Sequence, residues 1–196
     1  MAATPQQRAV FLDRDGTLNV EKEYLYQPEA FEFIPGAPEA VRLLRDGGYK
    51  VIVVTNQSGV ARGYFGPRQV EALHRHIQTL LKPFGTRIDA FYYCPHHPTQ
   101  GQGEYRVECD CRKGQPGMLL KAAREHHLAL DRSYMIGDKA ADIEAGARAG
   151  CHAILVATGY GCTEAQAASL WHPWQATDLL AAARMICATP ENLPIP

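Results

Sequence analysis

Long apolar runs, blocks of like charge, internal repeats and low-complexity tracts are all missing from this 196-residue chain. No stretch approaches the apolar length that crosses a bilayer, so no membrane partner is expected. Lysine and arginine number 20 against 21 aspartates and glutamates, a formal net charge of −1. Without a basic block, no nucleic-acid partner is expected either. Residues 1–8, MAATPQQR, hold no apolar segment, so no signal peptide is expected and a cytoplasmic setting follows. Thiols stay reduced there. Cysteines are few, six in all, yet Cys94, Cys109 and Cys111 crowd into one short region. In reducing surroundings such crowding points to a metal before a disulfide.

What is present reads as an ordinary globular chain, 46% hydrophobic and 21% charged. One domain is expected over 1–187, acting as a monomer, with ATPENLPIP (188–196) as a loose tail. Strand-like runs fall at 9–13, 50–56, 88–94, 133–138 and 152–158. Helical patterns lie between them at 37–47, 66–81, 116–127 and 140–150, and Val70, Leu73, Ile77 and Leu80 recur at helical spacing. A short extended piece and a last helix are expected within 170–186. Strand alternating with helix predicts an α/β fold: a doubly wound, mostly parallel, Rossmann-like sheet. In such sheets ligands bind beyond the strands' carboxyl ends, where strand order reverses. Three polar pairs fall at that edge: Asp13 with Asp15, Thr55 with Asn56, and Asp138 with Lys139.

The opening AVFLDRDGTLN (9–19) runs an apolar strand straight into two carboxylates. Side chains two apart on an extended chain point the same way, so Asp13 and Asp15 are expected to project together. Two like charges at the end of a buried strand are costly unless a cation lies between them. Asp-Gly is also a common turn dipeptide, and taken alone the stretch supports either reading.

With its other motifs the chain resembles the haloacid-dehalogenase superfamily of phosphotransferases. FLDRDGTLN looks like the first motif and VVTNQSG (53–59) is similar to the second. CRKGQPG (111–117) supplies a third-motif lysine, and IGDKAAD (136–142) looks like the fourth. The resemblance implies a carboxylate nucleophile, Asp13, forming an aspartyl-phosphate, with Asp15 as acid and then base. It implies Mg²⁺ held by Asp13, Asp138 and the backbone carbonyl of Asp15. Thr55 and Lys113, helped by Arg112, would hold the phosphoryl oxygens. Asp142, one helical turn after Asp138, would orient a water on the metal.

A second constellation is CPHHP (94–98) with CDC (109–111). Three thiolates and one imidazole suit a four-coordinate, structural Zn²⁺. His96 and His97 compete for the fourth place; C-x-H mirrors C-x-C, which favours Cys94, His96, Cys109 and Cys111. Such a clamp would fix Lys113 against the phosphate.

The zinc loop, TNQSGVARG (55–63) and YYCPHHP (92–98) resemble a branch of bacterial sugar-bisphosphate phosphatases that shares its loop with histidinol-phosphate phosphatase. Residues 114–115, GQ, depart from the proline-containing pattern, and 170–196 matches little. The implied activity is Mg²⁺-dependent hydrolysis of a small phosphorylated sugar; the alternative is histidinol phosphate or another small phosphomonoester. Only 16–36 and the zinc loop stand where the superfamily inserts cap domains, so a capless enzyme is expected. Its substrate would be gripped by Glu21, Lys22, Glu23, Tyr24, Asn56, Gln57, Ser58 and Lys139. Arg14, Arg62 and Arg106 hint at a second phosphate.

Overall fold

All six strands run parallel in one sheet, ordered β3-β2-β1-β4-β5-β6, in a computed structural model that describes residues 7–188. The strands are β1 (Ala9–Leu12), β2 (Lys50–Asn56), β3 (Ala90–Cys94), β4 (Tyr134–Gly137), β5 (His152–Val156) and β6 (Trp174–Ala176). The helices are α1 (Ala37–Asp46), α2 (Pro67–Leu81), α3 (Gly117–His126), α4 (Ala140–Ala149), α5 (Gly161–Ala168) and α6 (Leu179–Ala188). The tail reading beyond Ala188 and most of the leader reading lie outside the described residues. No described helix is long and apolar enough to cross a membrane.

The apolar run of β1 follows from its place at the sheet's centre, where both faces are covered. Val10 and Leu12 pack in one core with Val41 and Leu44 of α1 and Leu179 of α6. Ala9 and Phe11 face the other way, onto Met118, Leu119 and Ala122 of α3. The register sets Val10 opposite Val51 on one side and Tyr134 on the other. Strand order therefore reverses between β1 and β4, and the carboxyl ends of those two strands open a crevice.

Two local outcomes differ from the sequence pattern and a third agrees with it. In α2 the buried stripe is Val70, Leu73, Ile77 and Leu81, with Leu81 taking the place expected of Leu80. That is the i+4 position after Ile77, and it faces the sheet. The helix α5 was not expected, because GCTEAQAA has almost no apolar periodicity; Ala168 buries it against Ile143 and Leu155. The short extended piece becomes β6, an added edge strand paired to β5. At the two cap insertion points the chain forms short 3₁₀ turns, Pro28–Ala30 and Gly103–Tyr105, and isolated bridges through Asn19.

Candidate active site

A cavity of about 330 Å³ lies at the switch point, floored by Asp13, Asp15, Thr55, Lys113 and Asp142. Asp13 follows β1, Thr55 is the penultimate residue of β2, Asp138 follows β4, and Asp142 sits in the first turn of α4. Lys113 enters from the loop after β3. Asn56 holds it there: the Lys113 N–H donates to Asn56 Oδ1 at 2.9 Å.

Three carboxylates, those of Asp13, Asp138 and Asp142, converge within 4.8 Å of one another, all buried. The Lys113 ammonium lies 2.5 Å from Asp13 and 2.7 Å from Asp142. Burial pushes Asp13 up to about 6, with Asp142 adding to the rise and Lys113 opposing it. Burial, then Asp13 and Asp142, push Asp138 up to about 8. Burial acts against the charge on Lys113, but its two carboxylate partners outweigh that and raise its pKa. Asp138 Oδ2 accepts the Tyr160 N–H at 2.9 Å, whereas Oδ1 is buried without a partner. Gly16 and Gly159, both at positive φ, press against this carboxylate; a Cβ on either would lie 2.2 Å from Oδ2. A clustered oxygen donor set with an orphaned buried oxygen fits a hard divalent cation.

Asp15 is handled differently. Arg14, with a side chain fully shielded from solvent, donates to Asp15 through Nε (3.2 Å) and Nη2 (2.8 and 3.0 Å). Asn19 Nδ2 and Gln57 Nε2 add bonds of 3.0 and 2.9 Å. Burial alone pushes Asp15 upward, but Arg14, Asn19 and Gln57 together hold it below the usual carboxylate range. The like charge weighing most on Asp13 is Asp142, not Asp15, whose compensating cation comes from within the motif itself.

Around the mouth stand Glu21, Glu23, Tyr24, Asn56, Gln57, Ser58 and Lys139, all expected from sequence, and Tyr160, which was not. Lys139 Nζ bonds Glu21 at 3.0 Å and lies 4.6 Å from the Tyr160 ring centre. Tyr160 follows β5 in a stretch without a motif; its place past a strand's carboxyl end was the available signal. Glu23 and Tyr24 hold φ of 44° and 33°, a left-handed strain concentrated at the rim.

Two of the expected residues do not line the cavity. Lys22 does not line the cavity: its ammonium turns outward to the Ala30 carbonyl and Glu32, both at 2.9 Å. Arg112 faces a neighbouring cavity and bonds the His96 carbonyl at 3.1 Å. The Asn56 anchor aims Lys113 inward and leaves the preceding side chain on the loop side. The arginine hint also changes. Arg14 is sealed beneath Asp15, Arg106 is exposed outside the cavity, and Arg62 lies 5.6 Å over the Tyr24 ring.

The Cys94, His96, Cys109 and Cys111 donors gather as the spacing suggested. Sulfur–sulfur distances are 3.3, 3.3 and 3.6 Å, and His96 Nδ1 lies 3.4 and 3.7 Å from Cys111 and Cys94. A tetrahedron with Zn–S bonds of about 2.3 Å has edges of roughly 3.8 Å, so the set fits Zn²⁺ and is far too open for a disulfide. The cluster already favours one thiolate. Cys111 falls to about 5, chiefly through its hydrogen bond with Cys94, while that bond and burial push Cys94 up. His97 is not a member; its Nδ1 accepts the Thr99 and Gln100 N–H groups.

A parallel sheet with a buried aspartate, a lysine and further carboxylates at its switch point defines a phosphotransferase-type hydrolase site. Residues 10–74 match the model of haloacid dehalogenase-like hydrolases, and 110–184 match a second, HAD-hydrolase-like model. The D-glycero-β-D-manno-heptose-1,7-bisphosphate 7-phosphatase of Pasteurella multocida is 47% identical over 158 residues, 80% of this chain and 85% of its own. That of Escherichia coli K12 is 46% identical over 165 residues, 83% and 86% of the two chains. A crystal structure of D,D-heptose 1,7-bisphosphate phosphatase from B. bronchiseptica, complexed with magnesium and phosphate, superposes with a TM-score of 0.82 at 33% identity. It spans 91% of this chain and 97% of that one. The chain belongs to the heptose-bisphosphate phosphatase family of the haloacid-dehalogenase superfamily.

Proposed function

We propose that this protein hydrolyses the C7 phosphate of D-glycero-β-D-manno-heptose 1,7-bisphosphate, a step toward nucleotide-heptose and lipopolysaccharide-core sugars, in the cytoplasm. One observation carries the reading: a buried Asp13 carboxylate, contacted by Lys113 and crowded by Asp142, at the floor of a cavity too small for a macromolecule. The extent of identity to the curated heptose-bisphosphate phosphatases favours this substrate over histidinol phosphate.

An Asp13 oxygen attacks phosphorus while the bond from phosphorus to the C7 oxygen breaks. The departing alkoxide takes a proton from Asp15, leaving the sugar 1-phosphate and an aspartyl-phosphate. Asp15, now a carboxylate, removes a proton from an entering water. That water's oxygen bonds phosphorus as the Asp13–phosphorus bond breaks, and inorganic phosphate leaves. Asp15 takes that proton from solvent when the ester's dianion settles beside it and adds negative charge to its surroundings. Lys113 and the Thr55 hydroxyl hold the equatorial oxygens, where charge spreads in the transition state. Glu21, Glu23, Tyr24, Ser58 and Lys139, at the mouth, meet the sugar.

Asp13, Asp138 and the Asp15 carbonyl would hold Mg²⁺, which screens nucleophile from phosphate and withdraws charge from its oxygens. Cys94, His96, Cys109 and Cys111 would hold a structural Zn²⁺ that stiffens the loop carrying Lys113.

The test is phosphate release by purified protein with Mg²⁺ from heptose bisphosphate and from histidinol phosphate, with mass spectrometry of the products. The expected product is the heptose 1-phosphate, with Asp13→Asn inactive. A higher kcat/KM on histidinol phosphate, or retention of the C7 phosphate, would overturn the assignment.

A further inference from the structure

Gln57 stands at the mouth with the sugar-gripping residues, yet its side chain is spent elsewhere. Only 3% of the residue is exposed. Its Nε2 donates to Asp15 Oδ2 at 2.9 Å and to Thr55 Oγ1, also at 2.9 Å. An amide nitrogen carries two protons, so both are used. An ionised carboxylate only accepts, which fixes the amide with its nitrogen toward Asp15.

We propose that Gln57 is a positioning residue: one buried amide holds the proton-transferring Asp15 and the phosphate-gripping Thr55 in a single frame. The inference rests on the roles proposed above for those two residues.

At Thr55, the hydroxyl oxygen already accepts the Gln57 N–H. Its own proton must therefore point away from Gln57, which leaves it for a phosphoryl oxygen in the cavity. At Asp15, Oδ1 takes bonds from Arg14 Nε, Arg14 Nη2 and Asn19, whereas Oδ2 takes only Arg14 Nη2 and Gln57. Oδ1 carries three donors, two of them from the sealed Arg14, whereas Oδ2 carries two, so proton traffic falls to Oδ2, where the Gln57 donor can give way. Arg14 is sealed beneath the carboxylate and has no way into the cavity. Gln57 is the neutral donor of the set that both touches Oδ2 and borders the cavity. It can slacken toward Thr55 when Oδ2 carries a proton, without stranding a buried charge. A hydrogen bond to a charged group is worth about 1.5–3 kcal/mol, or roughly 10- to 150-fold in rate where it matters to the transition state.

The two arms separate by leaving group. A sugar alkoxide needs the Asp15 proton, whereas a p-nitrophenolate leaves without it; Thr55 serves both esters alike. The experiment measures kcat and KM of Gln57→Met and Gln57→Glu, with Mg²⁺, on heptose bisphosphate and on p-nitrophenyl phosphate, with enzyme concentration raised for the slower ester. Glutamate keeps the glutamine's shape and serves if the methionine variant fails to fold. We expect kcat on the sugar ester to fall about 10- to 100-fold with KM within about threefold. The loss on the aryl ester is expected to be at least fivefold smaller. Equal losses on the two esters would overturn the single frame by leaving Gln57 acting on Thr55 alone, and a raised KM with unchanged kcat would overturn the positioning role by making Gln57 a sugar contact. Wild-type protein inactive on both esters would instead remove the functional reading beneath it.

Discussion

Replacing Lys113 by methionine tests the electrostatics of the site in a measurement that needs no substrate. Methionine keeps the length and apolar stem of lysine and deletes the charge. In the wild type that charge sits 2.5 Å from Asp13 and 2.7 Å from Asp142, with side-chain exposures of 3%, 6% and 1% for the three residues. Breaking a buried ion pair from one side costs about 3–5 kcal/mol, because the stranded charge is left in low dielectric. Part of that cost is recovered when the stranded carboxylates take up protons, so the loss must depend on pH.

The sign follows from the direction of the shifts. Asp13 and Asp138 already stand at about 6 and about 8, above the ordinary 3.8. A carboxylate raised in the folded state contributes stability below its unfolded pKa and loses it as pH climbs through the folded value. Removing Lys113 raises the cluster further, so the penalty is larger at pH 8 than at pH 6. Taking about 3 kcal/mol at pH 8 and 2–4 °C per kcal/mol for a chain of this size, the melting temperature should fall roughly 6–12 °C there. At pH 6 the fall should be less than about half of that, and millimolar Mg²⁺ should narrow the gap at pH 8 by binding the ionised cluster. Differential scanning fluorimetry in magnesium-free buffer, then with Mg²⁺, reads all three. Equal melting temperatures at pH 8 without metal, or a gap that widens toward pH 6, would refute the reasoning.

Gly16→Ala places a methyl 2.2 Å from Asp138 Oδ2 at φ +88°; it should cost about 1–3 kcal/mol in a melt and weaken Mg²⁺ activation in a metal titration. Arg14→Met strips Asp15 of its buried cation. Because the wild-type Asp15 is depressed, its stabilising share is present above pH 3.8 and fades as pH falls through the folded value. The variant should therefore lose stability at pH 7, by about 3 kcal/mol, and the deficit should shrink as pH falls below 3.8, as a series of denaturant titrations would show. Cys109→Ser should drop the zinc content below one per chain by atomic spectroscopy and lower kcat at least about tenfold through a loosened Lys113. Full zinc occupancy, or unchanged kcat without zinc, would separate the loop from catalysis.

Much of the architecture was legible because parallel strands buried on both faces must be continuously apolar, as AVFL and VIVV are. The site was legible for the same reason: charges appear where those runs stop. Side-chain direction past a strand's end was not legible. Strand alternation was expected to carry through Asp13 and Asp15, but β1 ends at Leu12 and the backbone turns, with Gly16 at positive φ and its N–H on the Asn19 carbonyl. Parity has no hold beyond that point. Arg14 could thus fold under Asp15 instead of facing a second phosphate, and Lys22 and Arg112 could turn away from the cavity in their loops. The helix α5 escaped because alanine and glycine make helices by close packing, which leaves no apolar period to read.

The partition of compensating charge was also hidden from the sequence. Four carboxylates gather at the switch point, and composition alone suggests that a metal must serve them together. The structure divides them. Asp15 is neutralised within its own motif by a sealed arginine, so its affinity for protons is held low. Lys113 pairs with Asp13 and Asp142 while Asp138 has only the more distant Lys139, and burial with mutual repulsion keeps Asp13 and Asp138 at about 6 and about 8. That deficit of positive charge is what makes the cluster receptive to a divalent cation at neutral pH. The balanced charge around Asp15 would let the same cavity hold the proposed acid–base residue two positions away without recruiting its side chain as a further metal ligand.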